Sequence, residues 1–217
     1  MIAVNNVKKQ YEKGLVQALN GISFKIEEGR IVSIMGPSGC GKSTLLKILG
    51  ALDFPTEGEV LIAGKNIREH RPLNEFRRRY IGFVFQFHHL IPSMSLLENV
   101  EIPLMPTAMS RRLRRERAAY LLEQMGLADR MKFLPTRVSG GERQRTAIAR
   151  AMVNDPKIIL ADEPTGNIDT MTGDRIMDFL LTTCREKRIT LIMATHNREI
   201  ADRTESRIHL RNGLLEK

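Results

Sequence analysis

Long apolar runs are missing from this sequence. None of its stretches approaches the ~20 consecutive apolar residues that a helix needs to cross a bilayer. Its first residues, Met1 to Asn6, also lack the basic segment, apolar stretch and cleavage site of a secretion signal. These absences exclude a membrane-spanning chain and lead us to expect a cytoplasmic protein.

Cysteine is scarce, with Cys40 and Cys184 as the two in the chain. They are far apart and neither has a partner at the spacing of zinc ligands, so the sequence suggests neither a disulfide framework nor a metal site. The 217 residues are 42% hydrophobic and 27% charged, as in a globular protein with one core and a smaller lobe. The chain therefore forms one functional unit.

Acidic residues are outnumbered, since 25 aspartates and glutamates face 34 lysines and arginines, and the formal net charge is +9. The excess is concentrated in residues 77–79 and 111–117. These runs fit an ordinary solvated helix face, a surface for anionic lipid, or a surface for nucleic acid. The solvated face is favoured because charge runs on surface helices are common, and no nucleic-acid partner is expected.

A glycine-rich segment follows the apolar run Ile31 to Met35 and fits the pattern G-x-x-x-x-G-K-[ST]. Glycines let successive backbone N–H groups turn inward, and a helix starting at about Lys42 and stopping at Gly50 adds its positive end. This favours a cradle for nucleotide phosphates over a glycine turn with an incidental lysine. Lys42 would bridge the β- and γ-phosphates and Ser43 would hold Mg²⁺. The predicted phosphate-binding residues are Gly36, Pro37, Ser38, Gly39, Cys40, Gly41, Lys42, Ser43 and Thr44.

Cys40 has two interpretations. A helix N-terminus and a lysine nearby both favour a thiolate, so alkylation of Cys40 would block nucleotide binding. Alternatively, Cys40 is an inert small residue of the loop.

A second glycine pair occurs at Val138-Ser139-Gly140-Gly141-Glu142, just before a helical run. Ser139 and Glu142 form the pattern of a capping box. Helix stability gains nothing from two glycines in the first turn, whereas a site that receives phosphate needs bare N–H groups there. We therefore expect this helix start to bind phosphate.

Three further strands are predicted to end in polar groups at one edge of a parallel sheet. Lys157 to Ala161 leads to Asp162, which would reach Mg²⁺ through water, and to Glu163, which would orient or deprotonate the attacking water. The alternative for this acidic pair is solvated surface. Thr190 to Ala194 precedes His196, a donor to the γ-phosphate, and Ile81 to Phe85 precedes Gln86, a contact for Mg²⁺ and the attacking water.

Together these motifs resemble the nucleotide-binding subunit of an ATP-binding cassette (ABC) transporter. The matching segments are Gly36 to Thr44, Gln86, Val138 to Glu142, Ile159 to Pro164, Gly166 to Thr170, and His196. The resemblance implies the α/β P-loop NTPase fold of ABC ATPases, with a RecA-like parallel-sheet core, an antiparallel β subdomain and an inserted helical subdomain. In this chain it implies one domain over 1–217, with the core and β subdomain in 1–87 and 156–217 and the helical subdomain in 88–155.

The resemblance also implies the partners and the remaining site residues. Two subunits would pack head to tail around two ATP molecules with Mg²⁺, as a homodimer in the ATP-bound state. Tyr11 would stack on adenine, Asp169 would lie in the loop that crosses the interface, and each site would need Ser139, Gly140 and Gly141 from the opposite chain. The permease would be a separate integral membrane protein, with this chain peripheral at the cytoplasmic face.

Within the family, Gln86 to Pro92 and Leu97 to Leu104 are similar to the Lol-type lipoprotein-releasing ATPase, with Mac-type macrolide exporters and the division-associated Fts-type ATPase as close relatives. The chain departs from the commonest pattern at Val138, usually leucine, and Asn197, usually aspartate. An ABC ATPase acting on DNA or ribosomes is disfavoured because no coiled-coil insertion or second cassette is present. An ATP-binding scaffold is disfavoured by Glu163 and His196.

One helix of the helical lobe is predicted in detail. Ser110 can start it and Gly126 can stop it. Its predicted apolar stripe is Leu113, Ala118, Leu121, Leu122 and Met125.

Overall fold

The computed structural model describes residues 1–166 and 168–216, and for Lys13 the backbone alone. Asn167, in the predicted motif from Gly166 to Thr170, lies outside the described residues. The strands are β1 (Ile2–Tyr11), β2 (Val16–Ile26), β3 (Ile31–Met35), β4 (Glu57–Ile62), β5 (Lys65–Asn66), β6 (Ile81–Val84), β7 (Ile158–Asp162), β8 (Thr190–Ala194), β9 (Ser206–Arg211) and β10 (Leu214–Glu216). The helices are α1 (Lys42–Leu49), α2 (Leu73–Tyr80), α3 (Leu96–Glu101), α4 (Arg111–Gln124), α5 (Gly140–Met152), α6 (Thr170–Glu186) and α7 (Arg198–Asp202).

The central sheet has six strands in the order β10-β9-β3-β8-β7-β6. All neighbours pair in parallel except β9 and β10, so β10 is an antiparallel edge. Side chains alternate between two cores, with Ile159 and Ala161 on one face and Ile158 and Leu160 on the other. Burial on both faces explains why these strands read as continuous apolar runs. The carboxyl ends of β3, β6, β7 and β8 therefore meet at one edge.

A second, antiparallel sheet has the order β2-β1-β4-β5. Strands β1 and β2 form a long hairpin whose register runs from Ile2 opposite Ile26 to Tyr11 opposite Val16. The inner face of this sheet shares one core with α1 and with one face of the central sheet. The hairpin turn therefore lies beside the segment that follows β3.

Helices α3, α4 and α5 form a separate lobe, which packs with α6 against the other face of the central sheet. The predicted start of α4 is confirmed, since Ser110 Oγ accepts from the N–H of Leu113, and Gly126 follows its end with φ +66°. Ala118, Leu121, Leu122 and Met125 of the predicted apolar stripe are buried, whereas Leu113 is 50% exposed and does not belong to it. Leu113 and Leu122 are nine residues apart, and two and a half helical turns place them on opposite faces.

The basic runs lie on α2 and α4, and several of their arginines contact groups of this chain outside their own helix. Arg77 donates to the carbonyl of Ala51, Arg114 to Glu101, and Arg117 contacts Asp155. The guanidinium groups of these three arginines are therefore engaged within the chain. Within the described ranges, no helix is both long and apolar enough to span a bilayer.

Candidate nucleotide-binding cleft

A cleft of about 730 Å³ opens at the carboxyl ends of β3, β6, β7 and β8. Thirteen predicted site residues line it: Tyr11, Gly36, Pro37, Ser38, Gly39, Gly41, Lys42, Ser43, Thr44, Gln86, Asp162, Glu163 and His196. Sequence reasoning missed three lining residues at the start of β2, Val16, Gln17 and Ala18. The sequence signal that could have found them is Gly14, a turn residue between two strand-like segments, because the turn of a hairpin brings Val16 opposite Tyr11.

The phosphate loop joins β3 to α1 and needs glycine at two close approaches. A Cβ at Gly36 would lie 2.0 Å from the carbonyl oxygen of Leu210, and one at Gly41 would lie 2.4 Å from that of Ala18. Gly41 also precedes α1 in the left-handed region, with φ +108°. Lys42 Nζ donates to the carbonyls of Gly36 and Pro37 at 2.7 and 2.9 Å, which holds the ammonium against the loop. The loop thus brings a cation and the free N–H groups of a helix start into the cleft.

Cys40 differs from the rest of the loop. Its side chain is 4% exposed and belongs to the core shared by α1 and the antiparallel sheet. The Lys42 ammonium is 4.0 Å from its sulfur. Burial of the thiol favours the interpretation of Cys40 as an inert packing residue over that of a reactive one.

The end of β7 fixes the second acid of the pair. Glu163 has φ +47°, and its N–H donates to the carbonyl of Ala194 at 2.9 Å. Its Oε1 accepts from the backbone N–H of His196 at 3.1 Å and from His196 Nδ1 at 2.7 Å, while Thr195 Oγ1 is 3.4 Å from Oε2. The Glu163 side chain is 13% exposed and that of His196 is 75% exposed. The glutamate is therefore anchored, and the histidine presents its Nε2 edge outward.

The tautomer of His196 follows from this contact. An ionised carboxylate only accepts hydrogen bonds, so Nδ1 carries the proton shared with Glu163. Nε2 can donate to a phosphate at the same time only in the protonated, imidazolium form of the ring.

Ser43, Gln86 and Asp162 bring a hydroxyl, an amide and a carboxylate to the same cleft. Among the described residues, no group of three or more His, Cys, Asp and Glu could hold a metal ion by itself. Mg²⁺ prefers oxygen ligands and is typically held by one or two protein groups together with phosphates and water. The donor set therefore fits Mg²⁺ bound with a nucleotide.

Tyr11 ends β1 at the rim of the cleft, and its hydroxyl donates to Asp53 Oδ2 at 2.8 Å. Burial, and then the hydrogen bond to Asp53, raise the pKa of the Tyr11 phenol. Neutral and partly exposed, this ring is available to a flat ligand.

Cys40 does not line this cleft, and neither do the other predicted ATP contacts Ser139, Gly140, Gly141 and Asp169. Ser139 caps α5 in the predicted capping box, accepting from the N–H of Glu142 at 3.2 Å and donating its own N–H to that carboxyl at 2.8 Å. This hydrogen bond from the Ser139 backbone holds the pKa of Glu142 below its usual range. Asp169 caps α6, and both Ser139 and Asp169 are exposed. The chain thus carries two separate sets of predicted site residues.

Asn197 follows His196 where aspartate is common. Its Oδ1 accepts from the N–H groups of Glu199 and Ile200 at 2.9 and 3.3 Å, so it caps α7. Asparagine and aspartate cap helices about equally well, so the substitution preserves the start of α7.

The model of the ABC transporter family matches residues 19–166. The chain belongs to this family. It is also similar to two lipoprotein-releasing system ATP-binding proteins LolD. The one from Syntrophus aciditrophicus is 50% identical over 98% of this chain and 97% of the relative, and the one from Aquifex aeolicus is 43% identical over 98% and 95%.

Solved structures agree with the family assignment. The dimeric ATP-binding cassette MJ0796, in a post-hydrolysis state bound to ADP and Pi, is 44% identical and superposes with a TM-score of 0.95 over 100% of this chain and 97% of that one. The predicted ABC-ATPase fold and the resemblance to the Lol-type subfamily are therefore confirmed.

Proposed function

We propose that this ABC family member is the ATP-hydrolysing subunit of a transporter whose separate permease releases lipoproteins from a membrane. The observation that carries the ATPase assignment is the convergence of a phosphate loop, two strand-end carboxylates, Gln86 and His196 on one cleft. The lipoprotein assignment is supported by relatives at 43–50% identity that are named for lipoprotein release. These names do not favour a division-associated or nucleic-acid-acting protein.

The cleft binds and orients ATP through its own residues. The loop N–H groups and Lys42 hold the phosphate chain, while Tyr11 receives adenine. Ser43, Gln86 and Asp162 would hold Mg²⁺, which when bound neutralises charge on the β- and γ-phosphates. The nucleotide is thereby fixed with its γ-phosphate toward Glu163 and His196.

Glu163 acts as the base. Its Oε1 is engaged by two donors from His196. Its Oε2, which Thr195 Oγ1 contacts at 3.4 Å, keeps a second lone pair that would accept a proton from a water beside the γ-phosphate. His196 stabilises the charge that develops on the phosphate. The hydrogen bond between His196 and Glu163 keeps the two side chains in the same relative position while the reaction proceeds.

A second copy of the chain completes each site. The start of α5 has glycines at its first two positions and an exposed cap, so its N–H groups can meet a phosphate that a partner carries. Two copies placed head to tail would bring Ser139, Gly140, Gly141 and Asp169 of each to the cleft of the other. The dimeric state of the MJ0796 cassette supports this arrangement.

The permease would dock on a different face, which places this chain at the cytoplasmic side of the membrane. A largely apolar groove of about 650 Å³ lies between α2, β6 and the lobe of α3 and α5, with Phe83, Phe85, Ile102 and Pro103 among its lining. It adjoins the segment that carries Gln86. A permease seated there would sense the state of the nucleotide.

Glu163→Gln tests this function. Glutamine keeps an acceptor for the His196 donors but cannot take a proton, so ATP should still bind while turnover falls by a factor of a thousand or more, on the order of the loss of a general base. The closed dimer should accumulate with ATP, as measured by size-exclusion chromatography with light scattering. Normal hydrolysis by this variant would show that the base is another group.

The same variant identifies the partner. Tagged Glu163→Gln chain is purified from native membranes with ATP, and co-purifying proteins are identified by mass spectrometry, with Lys42→Ala as the control that does not bind nucleotide. Recovery of a permease with a large extracytoplasmic domain supports lipoprotein release. Recovery of a division-type membrane protein, or of nucleic acid without a permease, overturns the transport assignment and leaves the ATPase assignment intact.

A further inference from the structure

Two charged residues far apart in sequence converge on Tyr11. Lys9 Nζ is 2.6 Å from Asp53 Oδ1, and the other oxygen of the same carboxylate accepts the Tyr11 hydroxyl at 2.8 Å. Asp53 lies 42 positions beyond Tyr11, after the end of α1. The Lys9 side chain is 12% exposed and that of Asp53 is 29% exposed, so the pair is partly shielded from water.

Lys9 also contacts the ring itself. Its ammonium lies 4.8 Å from the centroid of the Tyr11 ring, within the range of a cation–π interaction. Tyr11 lines the cleft, whereas Lys9 and Asp53 do not. Asp53 therefore holds the hydroxyl of the ring and Lys9 contacts one of its faces, while the ring can still contact a ligand in the cleft.

Asp53 is itself tied to the helix that follows the phosphate loop. Its N–H donates to the carbonyl of Lys47 in α1 at 3.3 Å, and its Oδ1 accepts from the N–H of Phe54 at 2.7 Å. The aromatic ring is thus linked through Asp53 to α1, the helix that follows the phosphate loop.

We propose that Asp53, supported by Lys9, is a positioning residue for the purine base of ATP, because it fixes the Tyr11 ring at a set distance from the phosphate loop. The inference rests on the proposed adenine contact of Tyr11. Pre-orientation of a ring lowers the cost of ordering it when a ligand binds. Loss of Asp53 should therefore weaken recognition of the base and leave recognition of the phosphates intact.

The electrostatics of the cluster agree with this role. Although desolvation opposes it, hydrogen bonds from Lys9 and Tyr11 hold the pKa of Asp53 below its usual range. The carboxylate is therefore ionised at neutral pH, and the Tyr11 hydroxyl donates to a charged acceptor.

The experiment compares ATP with inorganic tripolyphosphate, which carries the phosphates without the base. Asp53→Ala should weaken ATP binding by about five- to tenfold, on the order of the cost of ordering one side chain when a ligand binds, and raise KM for ATP while kcat stays within about twofold. Tripolyphosphate affinity should not change. Asp53→Asn keeps an acceptor for the hydroxyl and should restore part of the affinity.

Tyr11→Phe shows whether Asp53 acts through the phenol. Tyr11→Phe alone should weaken ATP binding by about as much as Asp53→Ala, and the double variant should be no weaker than either, because both remove the same contact. Additive losses overturn the inference, as does equal weakening of ATP and tripolyphosphate. If Asp53→Ala does not fold, Tyr11→Phe alone decides, since unchanged ATP affinity there overturns the inference too.

Matched variants separate this inference from the proposed function. Lys8 and Glu57 form an ion pair of 2.7 Å beside the cluster on the same sheet, and Glu57→Gln should leave ATP affinity unchanged. The chain has no tryptophan, so Tyr11→Trp introduces a single reporter whose fluorescence should respond to ATP and not to tripolyphosphate. If the Tyr11→Trp fluorescence does not respond to ATP and Tyr11→Ala binds ATP with unchanged affinity, the adenine contact itself is overturned. If the fluorescence responds but Asp53→Ala keeps full ATP affinity, only the role of Asp53 is overturned.

Discussion

Gly39 and Gly41 have similar backbone conformations and different surroundings. Their φ angles are +77° and +108°, so a side chain at either position is strained. A Cβ at Gly39 would meet nothing within 4 Å, whereas one at Gly41 would lie 2.4 Å from a carbonyl oxygen and 3.0 Å from Leu19. The comparison separates the cost of backbone strain from the cost of a steric clash within one loop.

Gly41→Ala should destabilise the protein more than Gly39→Ala does. Gly39→Ala should lower the free energy of unfolding by about 1–2 kcal/mol, the cost of a left-handed alanine. Gly41→Ala adds the clash and must shift β2 or α1, so we expect a loss of roughly 3 kcal/mol or more and loss of ATP binding. Urea denaturation and ATP titration measure both effects, and equal losses in the two variants would contradict the clash.

At the scale of elements, α3 begins with a complete capping box. Ser95 Oγ accepts from the N–H of Glu98 at 3.2 Å, and the Glu98 carboxyl accepts from the Ser95 hydroxyl and N–H at 2.6 and 2.8 Å. These bonds from Ser95, the side chain first, lower the pKa of Glu98. Leu96 and Leu97 of the same turn are buried, so the cap supports the core of the lobe.

Glu98→Ala should destabilise the protein by about 0.5–1 kcal/mol at pH 7. A lowered pKa in the folded state means that Glu98 stabilises fully above its unfolded pKa, and that this stabilisation is lost as the pH falls through the folded pKa. The difference in unfolding free energy between wild type and variant should therefore shrink below about pH 4. As a control, Glu116→Ala removes an exposed ion pair with Arg112 and should change the free energy of unfolding by less than about 0.5 kcal/mol at either pH. If the destabilisation caused by Glu98→Ala does not depend on pH, the charge of Glu98 has no part in the cap.

Local patterns predicted the elements that carry the cleft. The strand before the phosphate loop, the start of α1 near Lys42, the capping box at Ser139 and the strand before Asp162 all follow from signals within a few residues. The error at Leu113 came from grouping apolar residues without following their angles around the helix. The cluster of Lys9, Tyr11 and Asp53 could not be predicted, because its members meet through the packing of β1 against the end of α1 and share no local pattern.

At the scale of the whole molecule, the cleft and the exposed start of α5 are separate surfaces of one chain. If two copies share each site, a substitution on one surface damages only the half of each site that this surface supplies. Gly141 allows a clean change on the second surface, since a Cβ there would meet nothing nearer than 3.7 Å and its φ is ordinary. Gly141→Asp should therefore fold, while its carboxylate repels the phosphate of a partner.

Mixing variants tests whether sites are shared. Lys42→Ala and Gly141→Asp should each be inactive alone, because every site has one damaged half. Random mixing gives heterodimers in which one of two sites pairs an intact loop with an intact α5, so roughly a quarter of the wild-type ATPase rate should return. If mixing restores nothing although heterodimers form, the sites are not shared, and if Gly141→Asp alone is fully active, α5 has no part in them.

Strands β9 and β10, with the turn between them, lie against the phosphate loop. The N–H of Gly213 donates to the carbonyl of Cys40 at 3.1 Å, and β9 pairs in parallel with β3 directly before the loop. A ribosome synthesises the loop early and these strands late, and chains begin to fold while they are still being made. The loop therefore gains these contacts only after β9 and β10 have left the ribosome, and ATP bound to the completed cleft can stabilise the protein only from that point.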